Sequence, residues 1–253
     1  MELNRARFYS VVYGSTFDVH DRFNIGTYKE KQLHIILKKY FEPDPAFHEV
    51  PTEGFIADIR RGDEITEIET SGFTGLKPKL EAYFPAFRVE LVHPLAGVKY
   101  VSWIDPETRA ITPRKRSPKK EGAYDLLFEM VRILPFVAEK NLTVLGPVLE
   151  VDEYRLLDGW SRDRKRGSHR YERMPVELID MIELKTDDDY RRWIPADLAE
   201  TFTVRDFAEA ARIPEGTARA VMKVMEARGV LSAGGKKGNA RLYARARKGT
   251  AGI

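Results

Sequence analysis

The chain has 253 residues, with 42 basic and 39 acidic side chains and a formal net charge of +3. A chain of this length predicts one large domain, or a large domain with a small second one. It has no cysteine, which excludes disulfides, thiolate metal sites and a cysteine nucleophile. No stretch approaches the ~20 continuous apolar residues of a membrane span, and the N-terminus lacks the pattern of a secretory signal. We therefore expect a cytoplasmic protein without a membrane partner.

The first two thirds of the chain have the pattern of a mixed α/β fold. Apolar residues recur at helical spacing over residues 27–40, and two prolines at 43 and 45 end this helix. Strands over residues 54–60 and 64–70 flank a short turn and so predict a hairpin. The elements expected after the hairpin are helix 75–83, strands 88–92 and 98–104, helix 123–138, and strands 142–156 and 171–184. The basic run 114–120 fits a phosphate-contacting loop and a solvated linker equally well.

A helix, a tight turn, a second helix and a hairpin follow one another within fewer than fifty residues at the C-terminal end. Thr203 is expected to cap the first helix, with Asp206 at the capping-box position. Thr217 is expected to cap the second helix, which runs to about Arg228 and ends at Gly229. A glycine-rich basic tip, residues 234–239, then joins two short strands.

This arrangement resembles the winged helix-turn-helix family over about residues 197–247. In that family the second helix enters the major groove and the wing lies on the DNA backbone. The resemblance implies that Arg219 and Lys223 face DNA from the second helix, and that Lys236, Lys237 and Arg241 contact phosphates from the wing. The alternatives are a winged helix that contacts protein and a solvated basic tail.

Three carboxylates are expected to converge on the predicted hairpin. Glu67 and Glu69 are two residues apart on one strand, so they project from the same face, and the turn at 61–63 brings Asp58 beside them. Carboxylates that converge repel one another unless a cation lies between them. Hard oxygen ligands favour Mg²⁺ or Mn²⁺. The alternative is a hairpin edge that carries solvated charges.

The segment from about residue 26 to 92 resembles the PD-(D/E)XK, or restriction-endonuclease-like, nuclease superfamily. Asp58 matches the motif aspartate, Glu67 matches the (D/E), and Glu30 matches the upstream acid, so the resemblance makes these three the metal ligands. Glu69 stands where lysine is usual. Some restriction enzymes also carry Glu there, and others move the lysine to the following helix, where Lys77 or Lys79 could reach back. The implied chemistry is metal-assisted phosphodiester hydrolysis, with Glu69 or a lysine positioning or deprotonating the water.

These patterns together predict a two-part protein that acts on DNA. Residues 1–157 are expected to form a nuclease-like α/β domain, with a restriction-endonuclease-like mixed sheet flanked by helices. Residues 158–197 are expected to connect it, through a strand and a short helix, to a small winged-helix domain at 198–248. The expected function is a Mg²⁺- or Mn²⁺-dependent DNA endonuclease, and a homodimer is compatible with it.

Two other functions stay open at this point. The first is a catalytically inactive DNA-binding regulator, in which the nuclease-like domain serves dimerisation or scaffolding. The second is a protein-interaction module of a defence or repair complex. The five histidines have no metal-ligand spacing, and His93, which precedes Pro94 at the end of an apolar strand, is expected to be a packed side chain.

Overall fold

The computed structural model describes residues 3–15, 31–159 and 167–246. The helices are α1 (Arg5–Gly14), α2 (Gln32–Phe41), α3 (Lys77–Tyr83), α4 (Ala123–Glu129), α5 (Asp187–Arg191), α6 (Val204–Ala211) and α7 (Glu215–Ala227), with 3-10 stretches at Pro45–Phe47 and Met130–Phe136. The strands are β1 (His48–Thr52), β2 (Phe55–Arg61), β3 (Glu64–Ile68), β4 (Arg88–Val92), β5 (Leu95–Ile104), β6 (Lys115–Arg116), β7 (Leu142–Leu156), β8 (His169–Leu184), β9 (Thr201–Phe202), β10 (Leu231–Lys237) and β11 (Ala240–Arg245).

A large mixed sheet is the framework of the fold. β1, β2 and β3 form an antiparallel meander, and α3 then connects β3 to the parallel neighbour β4. β4 and β5 pair one after the other along the same side of β7, and both are parallel to it. The long strand β8 pairs antiparallel with β7 on the other side. The carboxyl ends of β3 and β4 therefore lie at one edge of the sheet, where loops can place functional groups.

Helices cover both faces of this sheet. On one face, α1 and α2 pack against it in a cluster that includes Ile36, Leu37 and the sheet residues Ile68 and Val92. On the other face, α3 and α4 contribute Leu80 and other buried side chains to a second cluster. The alternation of side chains along the strands separates the two clusters. The end of β3 thus lies between α2 and α3.

The C-terminal unit, which we define as β9, α6, α7, β10 and β11, is a helix–turn–helix followed by a hairpin. Thr203 caps α6 as predicted: its Oγ1 accepts from the Asp206 N–H at 3.2 Å, and its own N–H donates to Asp206 Oδ2 at 2.8 Å. The prediction that Thr217 caps the second helix is wrong, because α7 begins at Glu215 directly after Pro214 and encloses Thr217. The fixed φ of proline suits the start of a helix.

The C-terminal unit shares its core with the large sheet. Phe202, Phe207 and Met225 belong to the same apolar cluster as Leu126 of α4. Arg228, at the end of α7, donates to the carbonyls of Val137 and Lys185 at 3.1 and 2.8 Å and pairs with Asp187 at 2.9 Å. These contacts fix α7 against α4 and the 3-10 stretch that follows it.

Several predicted elements are confirmed and others are corrected. Strands 88–92 and 142–156 have the predicted bounds. The predicted helix 123–138 breaks after Glu129 into a 3-10 stretch that contains Pro135, because proline lacks the N–H that an α-helix needs. The first part of predicted helix 27–40 lies outside the described residues. β8, which the sequence analysis assigned to the connecting segment, belongs to the sheet.

The basic run 114–120 is partly ordered by its own acidic partners. Arg114 binds Glu150 at 2.5 Å and Asp152 at 2.6 Å, and its guanidinium lies 3.6 Å from the centre of the Tyr100 ring. Lys115 and Arg116 form β6, the strand that pairs with β5. Arg114 is therefore engaged within the protein, and the run is not a simple linker.

Candidate active site

Asp58 lies where β2 and β3 stop pairing. The two strands pair from Arg61 and Glu64 to Ile59 and Thr66. Beyond that point, the N–H of Ile68 donates to Asp58 Oδ2 at 2.7 Å, and the same oxygen lies 3.2 Å from His34 Nε2 on α2. The Asp58 side chain thus fills the gap between the strands, and its two hydrogen bonds both fall on one oxygen.

Glu67 is the buried carboxylate of the site. Its side chain is 1% exposed, and its Oε2 accepts a hydrogen bond from Lys79 Nζ on α3 at 2.7 Å. Lys79 also donates to the carbonyl of Ile56 at 2.9 Å, so it bridges α3, β2 and β3. The other Glu67 oxygen, Oε1, is buried and has no hydrogen-bond partner of good geometry among the described residues, although the Tyr83 hydroxyl lies close to this carboxylate. A buried carboxylate oxygen normally has a partner, and one without it suits a ligand or a cation.

The electrostatics of the site reflect crowded negative charge. Burial and the charge of Asp58 raise the pKa of Glu67 to about 7, even though Lys79 acts in the opposite direction. Burial and Asp58 likewise raise the pKa of Glu69 to about 6. Burial acts to raise the pKa of Asp58 as well, but hydrogen bonds from His34 and Ile68 outweigh it and hold the value below 3.8. One lysine is therefore not enough positive charge to keep all three carboxylates in their ordinary ionised range.

The structure brings some predicted site residues together and leaves others apart. Asp58, Glu67 and Glu69 interact, and Lys79 rather than Lys77 reaches them, because Lys77 is exposed on α3. Glu30 lies outside the described residues. No hydrogen bond to the Glu69 carboxylate occurs within the described part of the chain, although its backbone carbonyl accepts from His93 Nδ1 at 2.6 Å. His93 is packed, as predicted, with its ring edge against Phe73.

Sequence reasoning missed two residues of the site. His34 binds Asp58, and Tyr83 places a buried hydroxyl near Glu67, where burial and that carboxylate raise the pKa of the tyrosine. For Tyr83 the available signal was helical spacing, because it follows Lys79 by four residues on α3. Residues four apart lie on the same face of a helix.

The site offers two well-placed carboxylates and no complete metal cluster. Across residues 3–15, 31–159 and 167–246, no group of three or more histidine, cysteine, aspartate or glutamate side chains is arranged to hold a metal ion. Asp58 and Glu67 each keep one oxygen that receives no hydrogen bond from the described chain. These two oxygens are suitable first ligands for a hard divalent cation.

The residues predicted to bind DNA surround a groove on the C-terminal unit. Arg219 and Lys223 are exposed and lie one turn apart on α7. With Arg241 of β11 they line a cavity of about 610 Å³ between α7 and the hairpin. Lys236 and Lys237 are exposed on β10, and Lys236 pairs across the hairpin with Arg241. Arg241 also binds Glu226 at 2.9 Å.

Within the described ranges, no helix is both long enough and apolar enough to cross a membrane.

Comparisons with known proteins identify a family. An uncharacterized protein of Treponema pallidum (strain Nichols) is 25% identical over 234 residues, which cover 87% of this chain and 86% of that protein. No solved structure matches the chain. A family model described as a domain of unknown function, DUF8091, matches residues 31–185, the part from α2 to β8 that contains Asp58, Glu67 and Lys79. Because this match covers more than half of the sequence, the chain belongs to the DUF8091 family.

Proposed function

We propose that this protein is a divalent-metal-dependent nuclease that acts on duplex DNA. The observation that carries the proposal is the meeting of Asp58, Glu67 and Lys79 at the end of β3, with Glu67 Oε1 buried and unpartnered. The order of the surrounding elements supports it. A helix, an antiparallel meander, a second helix and a parallel strand follow one another from α2 to β4, and this order resembles the restriction-endonuclease-like core.

Asp58 and Glu67 would hold the cation. Their free oxygens are hard ligands, and the chain has no cysteine to favour a softer metal. The raised pKa of Glu67 supports this assignment, because a carboxylate whose charge is disfavoured gains from a cation beside it. Mg²⁺ or Mn²⁺ bound there would supply the Lewis-acid chemistry of phosphodiester hydrolysis.

The protein side chains would divide the remaining work. The oxygen of a water bonds to phosphorus while one ester P–O bond breaks, and Glu69, which follows Glu67 on the same face, accepts a proton of that water. The leaving oxygen takes a proton from solvent. Lys79 stands in for the lysine that the superfamily motif carries beside its second acid. Its ammonium would stabilise the negative charge that develops on the phosphoryl oxygens.

The C-terminal unit would hold the duplex. Its exposed cations line one groove and one hairpin, and the glycines of the hairpin tip let the backbone approach phosphates closely. In this arrangement Arg219 and Lys223 would face the base edges of the major groove, and Lys236 and Lys237 would contact the backbone.

Nicking of a supercoiled plasmid tests the proposal. The purified protein is expected to nick DNA with Mg²⁺ or Mn²⁺ and to be inactive with EDTA or with Ca²⁺ alone, which coordinates loosely and activates water poorly. Glu67→Gln should abolish nicking while DNA binding persists. Glu81→Gln, an exposed change on α3, is the matched control. Activity that survives in EDTA, or in the Glu67 variant, would refute this site.

A second candidate function is a catalytically inactive DNA-binding regulator. The observation that favours it is that Lys79 and His34 already contact the two carboxylates, while no larger acidic cluster is present in the described ranges. Asp58 and Glu67 would then stabilise the junction of α2, β3 and α3 only. Tight duplex binding without cleavage under any metal condition distinguishes this function from the nuclease.

A further inference from the structure

A polar cavity, separate from the groove of the C-terminal unit, lies beside the proposed active site. It has a volume of about 230 Å³ and is lined by Thr70 and Ser71, which follow β3, and by His93, which follows β4. Arg170 and Arg173 of β8 form its opposite wall. The cavity therefore begins one residue after Glu69, at the carboxyl edge of the parallel strands, where α/β sheets usually bind ligands.

Arg173 is the arginine of this cavity that forms no ion pair with a described acidic side chain. Its Nη2 donates to the carbonyl of Thr70. Burial and the neighbouring Arg170 lower the pKa of Arg173 to about 10, even though Glu121, Glu153 and Glu172 act in the opposite direction, so the folded protein disfavours its charge. A half-buried guanidinium in this state is stabilised by a bound anion.

The acidic residues of the cavity wall form no ion pair with Arg173, although the charge of Glu121 acts on it from a distance. Glu121 accepts from the N–H of Ala96 at 3.0 Å, Asp125 accepts from the N–H of Gly122 at 2.9 Å, and Glu129 pairs with Arg132 at 3.0 Å. Glu121 also pairs with Lys119 at 3.6 Å, whereas the buried Glu129 Oε2 accepts no hydrogen bond from the described residues.

Arg170 differs from Arg173, because it pairs with the buried Glu153 at 3.4 Å. Of the two guanidinium groups, only that of Arg173 forms no ion pair with an acidic side chain in the part of the chain that the structure describes.

Several donors can bind one tetrahedral oxyanion here. The guanidinium groups of Arg173 and Arg170 line the same space as the exposed Ser71 hydroxyl. The Lys119 ammonium lies there too and pairs with Glu121 at 3.6 Å. Arginine forks match phosphate oxygens in geometry and charge. The cavity is smaller than the ~300–1,000 Å³ of a typical drug-sized pocket, so it suits a single phosphate group better than a whole nucleotide.

We propose that this Arg173 cavity binds a phosphate group of the DNA strand, next to the phosphodiester that Asp58 and Glu67 act on. The inference rests on the proposed function for the identity of the ligand. It does not depend on catalysis, because the cavity residues and the carboxylates are separate groups. A phosphate held beside Glu69 would fix the register of the strand over the metal ligands.

The first test is phosphate binding by the full-length protein in EDTA, measured by titration calorimetry at constant ionic strength. Wild-type protein is expected to bind inorganic phosphate, and Arg173→Gln should weaken that binding about 10-fold or more, the usual effect of losing a charged hydrogen bond. Arg88→Gln, at the other end of β4, is the control and should bind as wild type does. Equal binding by wild type and Arg173→Gln would overturn the proposal.

A second variant pair guards against a folding defect in Arg173→Gln. Ser71 is exposed, so Ser71→Glu should fold, and its negative charge at the cavity rim should abolish phosphate binding. Ser71→Gln has the same size without the charge and should retain binding. If Ser71→Glu and Ser71→Gln bind phosphate equally well, phosphate does not lie in this cavity.

Oligonucleotides distinguish a DNA phosphate from a free phosphate compound. The affinity of 5′-phosphorylated and 5′-hydroxyl duplexes is compared in wild type and Arg173→Gln, again in EDTA. Weaker binding of both duplexes by the variant indicates an internal phosphate, and loss of a preference for the 5′-phosphate indicates a strand end. No change with either duplex would assign the cavity to a free phosphate compound and refute the DNA assignment. Phosphate binding without nicking would leave this cavity in place and refute only the nuclease.

Discussion

Replacing Glu67 by glutamine tests whether the charge of this buried carboxylate destabilises the folded protein. The pKa of Glu67 rises from 4.5 to about 7 in the folded protein. The folded state therefore binds more protons than the unfolded state between these values, and the free energy of unfolding falls as pH rises through that window. Each pH unit corresponds to ~1.4 kcal/mol, so the loss attributable to Glu67 is roughly 3 kcal/mol.

The measurement is urea denaturation of wild type and Glu67→Gln in EDTA at several pH values from 4.5 to 8. Glutamine does not titrate, so the free energy of unfolding of the variant minus that of wild type should increase by roughly 3 kcal/mol from the lowest to the highest pH. Glu81→Gln, exposed on α3, should differ from wild type by a small constant amount. Saturating Mg²⁺ should remove the part of the wild-type pH dependence that Glu67 causes, because a cation favours the charged carboxylate. A relative free energy that stays flat with pH, or falls, would refute the reasoning.

Two further predictions concern DNA and catalysis. Removing both exposed wing lysines, Lys236 and Lys237, should weaken duplex binding to all sequences alike and reduce the slope of log K against log salt by about 2; an unchanged slope in fluorescence titrations would contradict the phosphate contact. In nicking assays, Lys79→Gln should lower the rate by ~10²–10³-fold, whereas the exposed Lys77→Gln should have little effect. Glu69→Gln should lower the nicking rate by ~10²–10⁴-fold if Glu69 accepts the water proton. Wild-type nicking rates in the Lys79, Lys77 and Glu69 variants would place the chemistry elsewhere.

The sequence predicts those parts of the structure that local pattern controls. The apolar runs at 88–92 and 142–156 become strands with the predicted bounds, and the spacing of Asp58 and Glu67 about a tight turn brings the two carboxylates together. The partners of these carboxylates come from helices on opposite faces of the sheet. The family resemblance suggests Lys77 or Lys79 as a partner, but nothing local in the sequence selects Lys79 or adds His34, because both depend on how α2 and α3 pack.

The position of the C-terminal unit is also a product of tertiary packing. The sequence predicts a domain boundary at residue 198 and identifies Arg228 only as the approximate end of the second helix of the C-terminal unit. In the structure its guanidinium lies 5.2 Å from the centre of the Tyr190 ring, and it donates to carbonyls on two other segments. The apolar cluster continues from α4 into α6 and α7 without a break. Local periodicity cannot report that two elements distant in the chain share a core.

This shared core predicts that the sheet does not fold without the C-terminal unit. Leu126, Leu127 and Met130 are fully buried in the cluster that α7 completes. Exposing each such side chain costs ~1.5–3 kcal/mol, and the whole stability of a typical protein is only ~5–15 kcal/mol. A fragment that ends at residue 197 should therefore aggregate or lose its near-ultraviolet circular dichroism, whereas full-length Arg219→Ala should keep the wild-type spectrum. A soluble fragment with a native spectrum and a sharp melting transition would show that the unit is independent after all. Loss of DNA binding on truncation then reports unfolding, so the DNA contacts have to be tested with surface substitutions in the intact chain.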